Sequence, residues 1–526
     1  MLVFFLRYPA NLFQSMMTLS AFSEHSSAPR RRAGLFRRLA QHAGLKSLAR
    51  VSGRPASALA GFLFVCLASY GAAASAQALP PELDQAWRAA RLQQGDVSLV
   101  VQEIGGPRLV ELNPATPRNP ASVMKMVTTW AALSGLGPEY RWRTELLAER
   151  GARIDGQGSL RGPLYIKAGG DPHLTQEELW FLLRELRLRG VKNLSEVVVD
   201  RSVFGQVGID PNAFDDAGDR PYNASPDAMM VGLGAARLLF VPDTVGRKWI
   251  PVLDPPLPGV RIQGEVKYSD AVCPGSPAVS VQARQVGAET LVDVAGTAAG
   301  SCGEFTVYRL VQSQPAYFSA LFRQLWRDLG GTLARGVREG RAPGNAQVLA
   351  WTESETLADT IRQINKQSNN VMARTLLLTL GAEKAGRPAT PAGGGQAVLA
   401  VLAEQGVDTR GWQIDNGSGL SRNGRLTAGG LAGMLEAAWR SPLMPEYVSS
   451  LAISGVDGTM RRRLRQDEVR GMAHLKTGTL RDARALAGYV LGASGKRYIV
   501  VSLANGERAT AIRSFDDALI SWLAAR

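Results

Sequence analysis

Cysteine and histidine are scarce in this chain, whose 526 residues include three cysteines and four histidines. Two histidines precede residue 77, and neither His173 nor His474 lies in a recognisable Ser-His-Asp context. Cys273 and Cys302 are too far apart in sequence for a C-x-x-C zinc or redox motif. The sequence therefore predicts no metal site and no cofactor, and it disfavours a serine hydrolase that depends on histidine.

Acidic residues are nearly absent from the first 76 residues, where nine Lys or Arg accompany a single acid, Glu24. The formal charge is +14 for the whole chain and +6 for the part that follows. More than half of the excess positive charge is therefore confined to the N-terminal segment. This distribution argues against nucleic acid as a partner.

Residues 1–76 have the layout of a leader with a signal peptide. A basic region ends at Arg54, a mainly apolar run extends from Ala58 to Tyr70, and Ala74-Ser75-Ala76 follows. This order predicts export to the periplasm with cleavage after Ala76. The apolar run is short for a membrane span, which favours a cleaved signal peptide, and an uncleaved membrane anchor is the alternative. No later segment approaches eighteen uninterrupted apolar residues. In an exported protein, Cys273 and Cys302 predict one disulfide, with two buried thiols as the alternative.

Apolar periodicity after the leader indicates an α/β fold. Alternating runs at 97–104 and 108–112 predict a hairpin, and a helical run follows from Ser122. Three further strands are expected at 473–480, 485–491 and 497–504, before a C-terminal helix. A sheet with the Ser122 helix on one face and the terminal helix on the other is an α/β/α sandwich. Residues 389–395 are expected to form a Gly/Pro/Ala loop before a helix at 396–405.

The stretch Ala121-Ser122-Val123-Met124-Lys125 is the strongest candidate for catalysis. A serine hydroxyl needs a base to become a nucleophile, and residues i and i+3 share one face of a helix. Lys125 can therefore reach Ser122, and a lysine acts as a base when burial or nearby positive charge stabilises its neutral form. S-x-x-K occurs once in the chain, at this position.

Two further motifs follow in an informative order. Ser368-Asn369-Asn370 forms S-x-N in a break between two expected helices, and Lys476-Thr477-Gly478-Thr479 forms K-T-G-T on an expected strand. The order S-x-x-K, S-x-N, K-T-G is typical of penicillin-binding proteins and class A β-lactamases. Ser421-Arg422-Asn423 also forms S-x-N, but we favour Ser368 because it lies between two well-patterned helices.

Additional segments strengthen this resemblance, namely Gly169–Pro172, Asp200–Phe204, Asn416–Arg422 and Gly455–Met460. With them, the chain from about Leu79 resembles the D-alanyl-D-alanine carboxypeptidase/endopeptidase family, the class C low-molecular-mass penicillin-binding proteins. Ser122 and Ser368 are 246 residues apart, which is too far for a compact β-lactamase. The family carries nested inserted domains at this place.

The resemblance implies a penicillin-binding/β-lactamase-like transpeptidase sandwich with nested inserted domains. Residues 77–142 plus 343–526 are expected to form the acyl-serine catalytic domain. Residues 143–240 plus 311–342 are expected to form an inserted domain. Residues 241–310 are expected to form a smaller β-rich module nested within that insertion.

The resemblance also implies roles for the motif residues. Ser122 would attack the D-Ala-D-Ala peptide bond with Lys125 as base, and Ser368 and Lys476 would relay the proton to the leaving amine. Asn370 would hold the substrate amide. Three residues would bind substrate: Thr477, Gly478 and Thr479. The implied partners are peptidoglycan peptides, with β-lactam antibiotics as covalent inhibitors.

Two alternatives remain from the sequence. A β-lactamase would need an efficient deacylating base, such as the glutamate of class A enzymes, and no convincing motif for one is present. A non-catalytic peptidoglycan-binding protein could keep the fold, but intact motif residues argue against it.

Overall fold

A computed structural model describes residues 79–526; the expected leader and its cleavage site after Ala76 lie outside this range. The described residues form ten α-helices: α1 (Pro81–Ala90), α2 (Met124–Leu136), α3 (Gln176–Leu188), α4 (Gln314–Asp328), α5 (Leu357–Gln367), α6 (Asn370–Lys384), α7 (Pro391–Glu404), α8 (Ala428–Arg440), α9 (Met444–Ser450) and α10 (Ile512–Ala524). Among them, no helix combines the length and the apolar character needed to cross a bilayer.

The same residues form twenty β-strands: β1 (Val97–Glu103), β2 (Arg108–Leu112), β3 (Arg143–Ala148), β4 (Leu164–Lys167), β5 (Asn193–Leu194), β6 (Val197–Asp200), β7 (Ala236–Asp243), β8 (Lys248–Asp254), β9 (Val260–Gly264), β10 (Lys267–Ser269), β11 (Ala278–Val286), β12 (Glu289–Ala299), β13 (Phe305–Arg309), β14 (Thr332–Leu333), β15 (Val337–Glu339), β16 (Gln347–Glu353), β17 (Ala452–Ile453), β18 (Ala473–Thr479), β19 (Ala483–Leu491) and β20 (Arg497–Asn505).

A six-stranded antiparallel sheet, ordered β17-β18-β19-β20-β1-β2, unites the first and last parts of the described residues. The N-terminal hairpin and the C-terminal meander are both confirmed. They join through β1 and β20, where Val100 pairs with Val501. The two ends of the described range, residues 79–526, therefore build one sheet, although 246 residues separate Ser122 on the N-terminal side from Ser368.

The two faces of this sheet bury separate sets of side chains. Leu99 and Val500 face a core shared with α1 and α10, whereas Val100 and Val501 face a core shared with α2, α6 and α8. Successive strand residues point to opposite faces, which is why both faces can be covered by helices. The expected α/β/α sandwich is confirmed.

The insertion is built on a five-stranded sheet ordered β15-β6-β4-β3-β16, with α3 and α4 contributing to its core. Strand β16 pairs with β3 although it follows residue 343, where the expected catalytic domain resumes. The chain therefore completes the insertion's sheet before it enters α5. The domain limits themselves stay a prediction.

The β-rich region contains two small sheets. One is ordered β13-β7-β8, and in the other β12 pairs with β9, β10 and β11. Cys273 and Cys302 form the expected disulfide in this region.

The prediction of a loop at 389–395 is wrong, because α7 already begins at Pro391. Thr390 caps this helix, its side chain accepting a hydrogen bond from Gly393 N at 3.1 Å. A Cβ on Gly394 would come within 2.5 Å of the Leu377 carbonyl oxygen. The glycines thus serve the close packing of α7 on α6 rather than a turn.

Asp516 of α10 is buried with 1% of its side chain exposed, and its nearest cation, Arg463 Nη2, lies 3.9 Å away. Within residues 79–526 neither carboxylate oxygen has a hydrogen-bond partner. Burial raises the pKa of Asp516 from 3.8 to about 7, the largest cause being loss of solvation.

We therefore expect Asp516 to make the protein less stable as pH rises from about 4 to about 7. Over this range the unfolded carboxyl loses its proton while the folded one keeps it, at a cost of up to about 1.4 kcal/mol per pH unit. Asp516→Asn should flatten this dependence. Urea unfolding of both proteins at several pH values measures it, and parallel curves for the two would contradict the expectation.

Candidate active site

Ser122 lies in a 3-10 turn, Ala121–Val123, that leads directly into the buried helix α2. Ala121 has a φ of +45°, a strained value for a residue with a side chain, and it is fully buried. Gly478 of β18 lies against the turn, since a Cβ there would come within 2.6 Å of Pro120 O and 3.0 Å of Ser122 N. The missing side chain of Gly478 makes room for the Ser122 turn beside the strand.

Lys125 Nζ lies 3.0 Å from Ser122 Oγ, 2.6 Å from Asn370 Oδ1 and 2.6 Å from the carbonyl oxygen of Ser418. The amide and carbonyl oxygens only accept hydrogen bonds, whereas a hydroxyl also donates. A neutral amine has two N–H groups and one lone pair. If the N–H groups are donated to Asn370 and Ser418, the lone pair is left for the Ser122 hydroxyl. This arrangement can deprotonate Ser122.

The electrostatic environment favours the neutral form of this amine. Burial, followed by the positive charges of Lys476 and Arg374, holds the pKa of Lys125 well below its usual 10.5. Both effects disfavour a buried cation. Lys125 can therefore act as a base.

Ser368 lies in the break between α5 and α6, as expected, and Asn370 is the first residue of α6. Ser368 ends α5 with a φ of +57°, in the left-handed conformation that stops a helix. Asn369 caps α6, its side chain accepting from Met372 N at 3.1 Å. The break thus leaves the Ser368 and Asn370 side chains free to approach the two lysines.

Lys476 is fully buried on β18, and its Nζ donates to Ser368 Oγ at 2.9 Å and to Thr477 O at 2.9 Å. Burial lowers the pKa of Lys476 to about 7. Side chains alternate along a strand, so Lys476 and Gly478 share one face of β18, and Thr477 and Thr479 share the other. The structure therefore brings all three motifs together.

Ser421, the alternative S-x-N serine, belongs to a turn. Its hydroxyl donates to Asp415 Oδ2, and it accepts from the N–H groups of Asn423 and Gly424 at 2.9 and 3.2 Å. Within the described residues neither Lys125 nor Lys476 hydrogen-bonds to it. This placement supports the choice of Ser368.

Several residues around the site were not assigned roles from the sequence. Ser418 accepts from Lys125 through its carbonyl, and Arg374 donates to Tyr222 O at 3.3 Å and to Ala224 O at 2.9 Å. Asn370 Nδ2 also donates to Tyr222 O, at 3.4 Å. The insertion therefore reaches the cleft through residues near 222. The Asn416–Arg422 segment, which contributes to the family resemblance, could have indicated that Ser418 lies at the site. No sequence pattern indicates a role for Arg374.

Neither described histidine contacts Ser122. His474 Nδ1 lies 3.1 Å from Val448 O, and the backbone N–H of His173 donates to Asp171 Oδ1 at 2.8 Å. Lysine is thus the basic side chain that hydrogen-bonds to the Ser122 hydroxyl among residues 79–526.

A serine with a buried lysine base, on an α/β/α sandwich beside an S-x-N turn and a K-T-G strand, defines the class of penicillin-binding proteins and β-lactamases. The model of the D-Ala-D-Ala carboxypeptidase 3 (S13) family matches residues 79–526, and the chain belongs to this family. It is a serine-type carboxypeptidase, and the family predicted from the motifs is confirmed.

Two curated relatives align with this chain over most of their length. A D-alanyl-D-alanine carboxypeptidase of an Actinomadura species is 29% identical over 450 residues, which span 82% of this chain and 82% of the relative. The D-alanyl-D-alanine carboxypeptidase DacB of Haemophilus influenzae is 26% identical over 432 residues, spanning 79% of this chain and 87% of the relative.

A solved structure is similar in fold. The crystal structure of penicillin binding protein 4 (dacB) from Haemophilus influenzae has a TM-score of 0.69 and 24% sequence identity, covering 84% of this chain and 99% of that chain. The expected fold class is confirmed. The roles of the individual site residues stay a prediction.

Proposed function

We propose that the protein hydrolyses D-Ala-D-Ala bonds of peptidoglycan stem peptides, and the related bonds of cross-links, through an acyl-enzyme on Ser122. The observation that carries this proposal is the arrangement around Lys125. Two acceptors engage its N–H groups, while Ser122 Oγ lies 3.0 Å from Nζ.

Acylation would begin when Ser122 Oγ attacks the carbonyl carbon of the substrate bond and its proton passes to Lys125. The backbone N–H groups of Ser122 and Thr479 would stabilise the negative charge on the substrate oxygen. The carbon–nitrogen bond then breaks, and the proton taken up by Lys125 would be relayed through Ser368 and Lys476 to the leaving amine, so that both lysines end in their starting protonation states. Water finally attacks the ester, which restores the Ser122 hydroxyl and releases the shortened peptide.

The remaining residues would orient the substrate. Asn370 would hold the substrate amide, and Thr477 and Thr479 would bind the terminal carboxylate together with Lys476. Protonated Lys476 would be the attractive partner for that carboxylate, and the carboxylate would in turn favour its protonated form.

The enzyme would act outside the cytoplasm. The order of basic region, apolar run and Ala74-Ser75-Ala76 supports export to the periplasm with cleavage after Ala76. Penicillins would acylate Ser122 by the same attack on a carbonyl and act as covalent inhibitors.

Fluorescent penicillin tests the proposal directly. The exported form of the protein should become covalently labelled, and mass spectrometry of its peptides should locate the adduct on Ser122. D-alanine should be released from a stem peptide, and a cross-linked dimer of stem peptides should be cleaved. Rapid hydrolysis of penicillin without D-alanine release would indicate the β-lactamase alternative, and failure of both reactions would indicate a non-catalytic protein.

The two S-x-N serines can be compared in matched variants. Ser368→Ala removes the hydroxyl that accepts from Lys476, so we expect acylation to slow by about 100-fold. Ser421→Ala removes turn hydrogen bonds and should lower the melting temperature while acylation stays within about threefold. Stopped-flow acylation and thermal unfolding of both variants measure these effects. A larger acylation defect in Ser421→Ala would reverse the assignment.

A further inference from the structure

An exposed cluster of arginines lies next to the K-T-G strand. A cavity of about 390 Å³ is lined by Gly455 and by four arginines, here called the arginine pocket: Arg461, Arg462, Arg465 and Arg470. All four residues are exposed. Within residues 79–526 none of their guanidinium groups forms a salt bridge or a side-chain hydrogen bond. Clustered positive charges without acidic partners repel one another, and an anion between them would remove that cost.

The loop that carries the pocket is fixed to the protein by its other side chains. Arg463 donates to Asp517 of α10, and the apolar side chains Met460, Leu464 and Val469 are buried in the core beneath the sheet. Gly455 N donates to the Arg463 carbonyl oxygen at 2.9 Å, which folds the loop back on itself. One arginine of the run therefore anchors the loop, while the four others face solvent from a defined position.

This loop also contacts the active-site strand. Thr459 Oγ1 lies 3.0 Å from Thr477 Oγ1, and Arg461 follows Thr459 by two residues. Two residues span at most about 7.6 Å between Cα atoms, so the backbone of Arg461 lies close to the residue that contacts the K-T-G strand. Thr477 is the residue at which the proposed function places the carboxylate of the leaving group. The loop that carries the arginine pocket thus contacts the K-T-G strand at the residue where the leaving group would bind.

We propose that the arginine pocket binds carboxylates of a second stem peptide when that peptide is the leaving group of a cross-link. This inference rests on the proposed function and deepens it, because it distinguishes the cross-link from a terminal D-alanine. A departing D-alanine has one carboxylate, which Thr477, Thr479 and Lys476 already engage. A departing acidic peptide carries further carboxylates, and guanidinium groups bind carboxylates through paired hydrogen bonds.

The variant Arg461→Gln/Arg465→Gln/Arg470→Gln tests the pocket. We expect the KM for a cross-linked stem-peptide dimer to rise about tenfold with kcat nearly unchanged, since each exposed pair contributes modestly. Penicillin acylation and D-alanine release from a single stem peptide should stay within about twofold. The preference of the unaltered protein for the dimer should also weaken at high salt, because exposed charges are screened.

A matched control removes the same charge elsewhere. Three exposed arginines of the insertion are changed together in Arg150→Gln/Arg153→Gln/Arg335→Gln. This variant should cleave the dimer like the unaltered protein. An equal rise of KM in the control, or no rise in the pocket variant, would overturn the proposal.

Three more outcomes are informative. If the pocket variant loses binding to inorganic polyphosphate but cleaves the dimer normally, the pocket is a phosphate-polymer site and the proposal is wrong. If the pocket variant loses acylation and D-alanine release as strongly as dimer cleavage, the loop supports the cleft as a whole and the peptide-binding assignment is wrong. Absence of acylation and of D-alanine release in the unaltered protein would instead overturn the proposed function, and the pocket proposal with it.

Discussion

Replacing Ser122 by alanine is expected to abolish covalent labelling by fluorescent penicillin and to lower kcat for D-alanine release by about 10⁴- to 10⁶-fold. The hydroxyl is the group that would form the acyl-enzyme, so no other side chain can compensate for its loss. Ser122 is half-buried at the start of α2, and alanine fits a helix start without strain. The variant should therefore fold, and thermal unfolding checks that it does.

Ser134→Ala provides the matched control, because Ser134 lies on α2, the helix that follows the Ser122 turn, and its hydroxyl donates to Trp130 O at 2.8 Å. That variant should label with penicillin at the normal rate. Labelling that survives in Ser122→Ala, or an adduct found on another serine of the unaltered protein, would contradict the assignment of the nucleophile.

Replacing Lys125 by methionine is expected to slow acylation by about 10³-fold, within the range that a general base contributes. Methionine keeps the length and fills the buried site, but it cannot accept the Ser122 proton. Lys125→Arg tests the same point with the charge retained. A guanidinium stays protonated at all usable pH values, so this variant should be as inactive as the methionine variant.

The pH dependence of acylation adds a second readout. The neutral form of Lys125 accumulates as pH rises through its pKa, which burial and the charges of Lys476 and Arg374 hold well below 10.5. The acylation rate of the unaltered protein should therefore increase with pH and level off, whereas the rate of Lys125→Met should not show this increase. Lys384→Met, which removes an exposed lysine at the end of α6, is the control and should keep both the rate and the profile. Substantial acylation in Lys125→Arg would show that another group is the base.

Much of the catalytic arrangement follows from local sequence. Ser122 and Lys125 are three residues apart at a helix start, and helical geometry alone brings i and i+3 to one face. Ser368 stands where two apolar periodicities break, and the structure has the expected break between α5 and α6. The strand that carries Lys476 can be predicted from the alternation of residue types along it. Each of these features depends on residues within one or two helical turns or strand repeats.

Other features could not be read in this way. The close packing of α6 against α7 depends on glycines. In the sequence these glycines resemble a loop, but in the structure Gly394 leaves room for the Leu377 carbonyl oxygen. Strand β16 pairs with β3 across the whole insertion, and the backbone contacts of Arg374 depend on where residues near 222 return to the cleft. These contacts join segments far apart in the chain, so no local pattern encodes them.

The sequence by itself determined the acyl-serine motifs, the sandwich that carries them and the family, because periodicity and short motifs are local properties of the chain. Only the tertiary structure decided how the neutral form of Lys125 is stabilised. Its neutral form is favoured by burial and by the positive charges of Lys476 and Arg374, while Asn370 and Ser418 accept from its N–H groups and leave its lone pair for Ser122. Desolvation and electrostatic interactions depend on distances in space, and those distances exist only after segments hundreds of residues apart have packed together.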